Sequence, residues 1–189
     1  MTKSELRKKY LTRRTLLTDD EYRNACDAIA SRFFHEVDLN GMQVVHSYLP
    51  IEKNKEPDTW LIINLIQERY PDIRISVPKI NPDGTMNSYY YEGPTQLRES
   101  PFGIPEPTRG EITPPEVIDM LIVPLLVFDK QGYRVGYGKG FYDRFLLQTK
   151  STSRRIGLSL FPPEERIDDA AEFDQRMNMV ITPDEVYHF

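Results

Sequence analysis

The sequence predicts an α/β fold, with residues 1–189 forming a single domain around a mainly parallel sheet that carries helices on both faces. Three observations lead there. Helical segments alternate with single strand-like segments. One of those strands, Met120 to Phe128, is apolar almost throughout, as a strand buried on both faces must be. A chain of 189 residues is also long enough to bury a core without a metal or disulfide staple.

The elements follow in order. Thr2-Lys-Ser-Glu5 and Thr18-Asp-Asp-Glu21 each fit a capping box, so each opens a helix. In the second helix Tyr22, Cys26, Ile29 and Phe33 fall on one apolar face. The first has a narrower stripe, Leu6, Tyr10 and Leu17, among cations, which predicts a surface helix with its polar side presented outward. Gln43–Tyr48 reads as a strand. Trp60, Ile63, Ile66 and Tyr70 mark a third helix ending before Pro71. Ile73–Val77 predicts a strand stopped by Pro78, and Met86–Tyr91 alternates after an Asn81-Pro-Asp-Gly84 turn. A Pro-rich loop runs from Pro94 to Pro115; a loop of that length is uncommon unless it is functional. The buried strand Met120–Phe128, a Gly-rich stretch, a helix starting at Phe141, and strands Arg155–Phe161 and Asn178–Thr182 complete the chain.

Composition excludes several classes. Mean hydropathy is −0.53, and the longest apolar run is short and interrupted by Pro124, so no membrane span is expected. Eleven tyrosines and nine phenylalanines argue against disorder. The net charge of −5 is the wrong sign for a general nucleic-acid binder. Six of the first fourteen residues are nevertheless basic, against the single acid Glu5, which points to a local anion site. Cys26 is alone, which rules out an intrachain disulfide, and no secretory signal is read at the N-terminus, so a cytoplasmic setting is expected. His35, His46 and His188 show no metal-ligand spacing and read as structural.

The chemistry concentrates where four of the ten glycines fall within nine residues, 132–140. This stretch follows a buried strand and precedes a helix, where backbone N–H groups favour phosphate. Lys139 adds a point charge, and Arg134 and Arg144 flank it. A tight turn with exposed cations is the plainer alternative. The spacing matches neither a P-loop, because Gly140 stands where a hydroxyl is needed, nor a dinucleotide fingerprint, because Phe141 stands where a third glycine is needed.

The run Val123-Pro-Leu-Leu-Val-Phe-Asp-Lys-Gln-Gly-Tyr-Arg-Val-Gly-Tyr-Gly-Lys-Gly-Phe-Tyr-Asp143 resembles the signature of the 5-formyltetrahydrofolate cyclo-ligase (methenyltetrahydrofolate synthetase) family. The resemblance extends to Lys3-Ser-Glu-Leu-Arg7, Glu56-Pro-Asp-Thr59, Val77-Pro-Lys79, Phe102-Gly-Ile-Pro-Glu-Pro107 and Asp174. It implies conversion of 5-formyltetrahydrofolate to 5,10-methenyltetrahydrofolate, dependent on ATP and Mg²⁺ and releasing ADP and phosphate. Phosphorylation of the formyl oxygen would make a leaving group that N10 then displaces.

The implied roles are as follows. Arg134 and Lys139 are catalytic. ATP is contacted by Lys3, Ser4, Glu5, Leu6 and Arg7 and by Arg134, Val135, Gly136, Tyr137, Gly138, Lys139, Gly140, Phe141 and Tyr142. Ile51, Glu56, Phe102 and Tyr142 form the folate site, and Asp143 and Asp174 ligate Mg²⁺. Apart from the resemblance, Lys3 and Arg7 read more readily as a solvated helix face and the aromatics as core, while Asp143 reads equally as a first-turn helix acid. Phe141 stands where relatives often have tyrosine, and Asn178 where they often have a second aspartate. The expected partners are the two small-molecule substrates, with no nucleic acid and no membrane, and the expected state is a monomer. A non-catalytic folate- or nucleotide-binding member of the same fold is the alternative.

Overall fold

The computed structural model describes residues 1–100 and 103–189. Helix α1 (Lys3–Leu16) and helix α2 (Asp19–Glu36) both open on complete capping boxes, Thr2 with Glu5 and Thr18 with Glu21. Helix α3 (Trp60–Arg69) ends ahead of Pro71, and the short α4 (Phe141–Leu146) follows the Gly-rich stretch. The strands are β1 (Val44–Ser47), β2 (Arg74–Ile80), β3 (Met86–Tyr90), β4 (Leu97–Glu99), β5 (Pro105–Pro107), β6 (Met120–Val123), β7 (Val127–Phe128), β8 (Arg134–Val135), β9 (Arg154–Leu158), β10 (Met179–Ile181) and β11 (Val186–His188).

Seven strands form the central sheet in the order β11-β10-β9-β6-β1-β2-β3. The five strands from β10 to β2 in that order run parallel, and only the edges β3 and β11 are antiparallel. The fold is therefore the expected mainly parallel α/β sheet. Its two faces are covered unequally. Val45, Ile75, Met120, Ile122, Ile156 and Leu158 share one core with α1, α2 and α3. Val44, Leu121, Val123 and Val180 share the other with Phe145 and Leu146 of α4. No helix among the described residues is long and apolar enough to cross a membrane.

Four local expectations are corrected. The strand expected over Met120–Phe128 breaks after Val123, because Pro124 has no N–H to give a ladder. The chain turns there, and Val127–Phe128 pairs with Arg134–Val135 as a separate hairpin. Pro78 does not stop β2, which continues to Ile80 against β3. Ile75 accepts from Tyr91 N–H on the β3 side, so by alternation the missing N–H of Pro78 lies on the other edge, past the last β1 pairing at Ser76. The loop 94–115 contains the small antiparallel pair β4–β5. β9 ends at Leu158 rather than Phe161, since the Ser159 hydroxyl bonds both backbone groups of Phe161 and turns the chain.

Gly157 sits in β9, paired with Val180 of β10 and packed under Leu125. A Cβ there would lie 2.5 Å from Leu125 Cδ2 and 3.0 Å from Val180 Cγ2, both side chains buried. Gly157→Ala should therefore lower unfolding free energy by about 1–3 kcal/mol, seen as a lower urea midpoint.

Candidate active site

The connection from β1 leads to β2 on one side of the sheet, while β6, β9 and β10 are laid down on the other. The switch lies between β1 and β6, and ligands of open parallel sheets bind outside the carboxyl ends of the strands at such a point. Three loops leave those ends side by side: residues 48–59 after β1, 124–140 after β6, and 159–178 after β9.

The loop after β6 is built by Asp129, which is fully buried. Its Oδ1 accepts from Gln131 N–H at 2.9 Å and Tyr133 N–H at 3.0 Å, and its Oδ2 from Ile167 N–H at 3.0 Å. One carboxylate thus shapes the β7–β8 turn and ties it to the loop after β9. The chain leaves β8 into the turn Gly136-Tyr-Gly-Lys-Gly140 and enters α4.

Helix α1 closes over this turn. Arg7 Nε donates to Gly136 O at 2.9 Å, and its guanidinium lies flat on Gly138, where a Cβ would be 3.0 Å from Arg7 Cζ. Gly138 also has φ +88°, so a side chain is excluded on both counts. One turn of helix before Arg7, Lys3 Nζ pairs with Asp174. Two turns after it, Arg14 is 1% exposed and donates to Leu125 O at 2.5 Å and to the Tyr137 hydroxyl at 3.3 Å.

Arg134, nearly buried, donates to Asp143 Oδ1 at 2.8 Å and to Gln175 O at 2.7 Å, while Gln175 N–H also reaches Asp143 Oδ1 at 3.3 Å. Gln175 follows Asp174, so both proposed metal ligands, Arg134 and Lys3 meet at one place. Asp143 Oδ2 and Asp174 Oδ1 have no protein partner among the described residues. Each carboxylate thus keeps one oxygen available, which suits a hard cation that takes one or two carboxylates plus phosphate and water. No cluster of three or more His, Cys, Asp or Glu side chains suited to a metal occurs among the described residues. Lys139 is exposed and forms no ion pair there.

The loop after β1 carries Glu56, 4% exposed. Its Oε2 accepts from Ile51 N–H at 2.6 Å, and the Tyr137 hydroxyl and Arg14 lie close enough to favour its charged form. Burial outweighs them and raises its pKa above the ordinary value. Lys55, the one non-glycine residue with positive φ among those described, turns the chain into Glu56 and donates to Leu17 O at the end of α1.

Tyr142 stands between the two halves. Its hydroxyl is 3.1 Å from His46 Nε2, and it is electrostatically close to both Glu56 and Arg134. The side chains of Leu6 and Val135 are fully buried, so they hold their segments from behind instead of lining the turn. Glu5 is occupied in the capping box, Ser4 is exposed, and Phe141 and Ile51 are partly exposed. Phe102 lies outside the described residues.

Asn178 has a structural explanation: its amide oxygen accepts from Arg155 N–H at 2.7 Å, while its own N–H donates to Arg155 O at 2.8 Å. The sequence reading missed three participants. Arg14 could have been found, since Leu6, Tyr10 and Arg14 are spaced four apart on one face. Asp129 opens a turn ending in glycine, a recognisable signal. His46, read as structural, is buried, but it bonds directly to a proposed site residue.

Two predictions follow from these environments. Arg134→Ala leaves the Asp143 carboxylate without its cation and should cost about 3 kcal/mol, whereas Lys139→Ala should stay within about 0.5 kcal/mol of the parent, both read from denaturant curves. Burial pushes the pKa of His46 from 6.5 down to about 3, so the folded state holds fewer protons than the unfolded state between those values. Its contribution is complete above pH 6.5 and is lost as pH falls through that window. Urea midpoints should therefore drop more steeply between pH 6.5 and 5 in the parent than in His46→Asn.

Comparison with known proteins places the fold in a family. A family model described as the 5-formyltetrahydrofolate cyclo-ligase family matches residues 1–183. The NMR structure of Aquifex aeolicus 5,10-methenyltetrahydrofolate synthetase superposes with a TM-score of 0.84 at 31% identity, covering 100% of this chain and 93% of that one. A 5,10-methenyltetrahydrofolate synthetase from Mycoplasma pneumoniae shares the fold, with a TM-score of 0.78 at 24% identity over 97% and 99% of the two chains. The 5-formyltetrahydrofolate cyclo-ligase of Mycolicibacterium smegmatis is 28% identical over 77% of this chain and 78% of its own. The more similar segments are shorter, spanning 27% of the Mycoplasma pneumoniae relative, 43% of the Mycoplasma genitalium relative and 33% of the Haemophilus influenzae relative. With a match over nearly its whole length, the chain belongs to the 5-formyltetrahydrofolate cyclo-ligase family.

Proposed function

We propose that the protein converts 5-formyltetrahydrofolate to 5,10-methenyltetrahydrofolate, consuming ATP in the presence of Mg²⁺ and releasing ADP and phosphate. The observation that carries this reading is the meeting of Lys3, Arg7, Arg134, Asp143 and Asp174 around the glycine-rich turn that bears Lys139, although they come from four separate parts of the chain. Cations and carboxylates in one cluster suit a metal-bound polyphosphate and would be wasted on an uncharged ligand.

An N-formyl oxygen is a poor leaving group, so ring closure needs activation. The formyl oxygen attacks the γ-phosphorus of ATP; the new O–P bond forms as the bond to the β-phosphate oxygen breaks, and ADP departs. The N10 lone pair then attacks the activated formyl carbon. The C–N10 bond forms, the C–O bond breaks with loss of inorganic phosphate, and N10 gives up its proton.

Phosphoryl transfer asks mainly for positioning and charge neutralisation. Lys139 and Arg134 balance charge on the transferring group, and the N–H groups of Gly136, Gly138 and Gly140 donate to phosphate oxygens. Lys3 and Arg7 hold the rest of the nucleotide from α1. Asp143 and Asp174 would hold Mg²⁺, which when bound supplies further neutralisation of the phosphates. Glu56 and Ile51 face the folate, with Tyr142 between folate and phosphate.

The test mixes purified protein with 5-formyltetrahydrofolate and MgATP and follows the absorbance of the methenyl product. ATP-dependent product is expected, and its absence would sink the reading. Lys139→Ala should lower kcat by about 100-fold with an unchanged unfolding midpoint. Asp143→Asn should raise the Mg²⁺ concentration needed for half-maximal rate; an unchanged Mg²⁺ dependence would refute the metal assignment.

A further inference from the structure

Beneath Tyr142, polar side chains line up where the sheet would otherwise be apolar. His46, Ser76, Ser88 and Thr113 are all buried, contributed by β1, β2, β3 and the segment before β6. They lie under α4: the His46 ring is 5.4 Å from the Phe145 ring and 5.8 Å, edge-on, from that of Tyr142. Four buried polar groups are costly unless each is bonded. Here they are joined in one chain. Tyr142 Oη is 3.1 Å from His46 Nε2, and His46 Nδ1 is 2.8 Å from Ser88 Oγ. Ser88 Oγ bonds Ser76 Oγ, and Ser76 Oγ donates to Thr113 Oγ1 at 3.0 Å.

Each hydroxyl has one proton, which limits the directions open to the chain; Ser88 Oγ also reaches Val77 O, but only at 3.5 Å. Ser76 spends its proton on Thr113, so Ser88 must donate to Ser76. With its proton used, Ser88 can only accept from His46, so Nδ1 carries the imidazole hydrogen. A neutral imidazole has no second N–H, and burial keeps this one neutral. Nε2 therefore presents a lone pair, and the Tyr142 hydroxyl donates into it.

We infer that His46 is a positioning residue that commits the Tyr142 proton inward and leaves the Tyr142 oxygen as a hydrogen-bond acceptor for an N–H of the bound folate. The inference rests on the activity proposed above for the ligand, but not for the direction of the chain. Tyr142 is partly exposed as a residue, and its buried hydroxyl is close enough to Glu56 and Arg134 to feel both charges; in the activity proposed above, the folate bound beside it is what reaches the oxygen's remaining lone pairs. A tyrosine without this partner could turn its proton outward and repel the same N–H.

Two measurements test it. In protein labelled with ¹⁵N-histidine, His46 should give the chemical shifts of the neutral Nδ1–H tautomer. The exposed His35 and His188 are assigned through His35→Gln and His188→Gln. The Nε2–H tautomer at His46 would overturn the inference, whatever ligand the protein binds. The second is a double-mutant cycle on 5-formyltetrahydrofolate affinity. His46→Asn keeps a polar atom near Nδ1 for Ser88 and removes the partner of Tyr142. It and Tyr142→Phe should each weaken folate binding by about 10-fold with ATP affinity unchanged, and the double variant should be no weaker than Tyr142→Phe alone. An equal loss on adding His46→Asn to the Tyr142→Phe background would mean a packing role only and would refute positioning. If the parent does not bind folate at all, the proposed function fails while the tautomer still decides the direction of the chain.

Discussion

Arg14 is a buried cation on a helix that composition alone would leave in solvent, and its bond to the Leu125 carbonyl anchors the helix that carries the basic head. A guanidinium removed from water must find acceptors, or the helix would not dock. The acceptor is available because of Pro124. With no N–H to give, Pro124 ends β6, the chain turns, and the carbonyl of the next residue is released to Arg14. Once that contact is made, helical geometry does the rest. Arg7 lies two turns back toward the N-terminus and Lys3 one turn further, so both reach the glycine-rich turn and the loop after β9.

The charge pattern of the site is complementary to its proposed ligand because the cations and carboxylates already neutralise each other. Lys3 pairs with Asp174 and Arg134 with Asp143. A polyphosphate carrying Mg²⁺ offers each of these groups a replacement of the same sign: phosphate oxygens for the cations, metal for the carboxylates. Entry of such a ligand need not leave a half-buried charge unpaired, whereas a bare anion would displace the carboxylates and a bare cation the lysine and arginine. This accounts for a local cluster of both signs on a chain whose net charge is −5.

How much of this was legible in the sequence depended on the range of the interaction. Both capping boxes, the apolar face of α2 and the glycine-rich turn are set by residues within a few positions of each other, and all appear where expected. Pro124 was visible inside its apolar run, but composition outweighed it, so one strand was expected where there are two. Arg14 shares the spacing of Leu6 and Tyr10, yet its charge hid its place on the buried face. The β4–β5 pair and the continuation of β2 through Pro78 depend on neighbouring strands, which no local window contains. The polar chain from Tyr142 to Thr113 draws on residues up to 96 positions apart, and only the sheet register brings them together.

That register also explains why the polar chain lies on one face of the sheet and not the other. Val45, Ile75 and Val77 point toward α1–α3, where three helices make a continuous apolar cover. Their neighbours in sequence, His46 and Ser76, must by alternation point toward α4. Helix α4 has only six residues, and Tyr142 in its first turn brings a hydroxyl to that face. A wholly apolar set of residues under it would leave the hydroxyl with nothing to hold its direction; the serines and histidine give its proton a fixed destination. The face with more helix supplies most of the core, and the face with less retains the polar chain that gives the Tyr142 proton its direction.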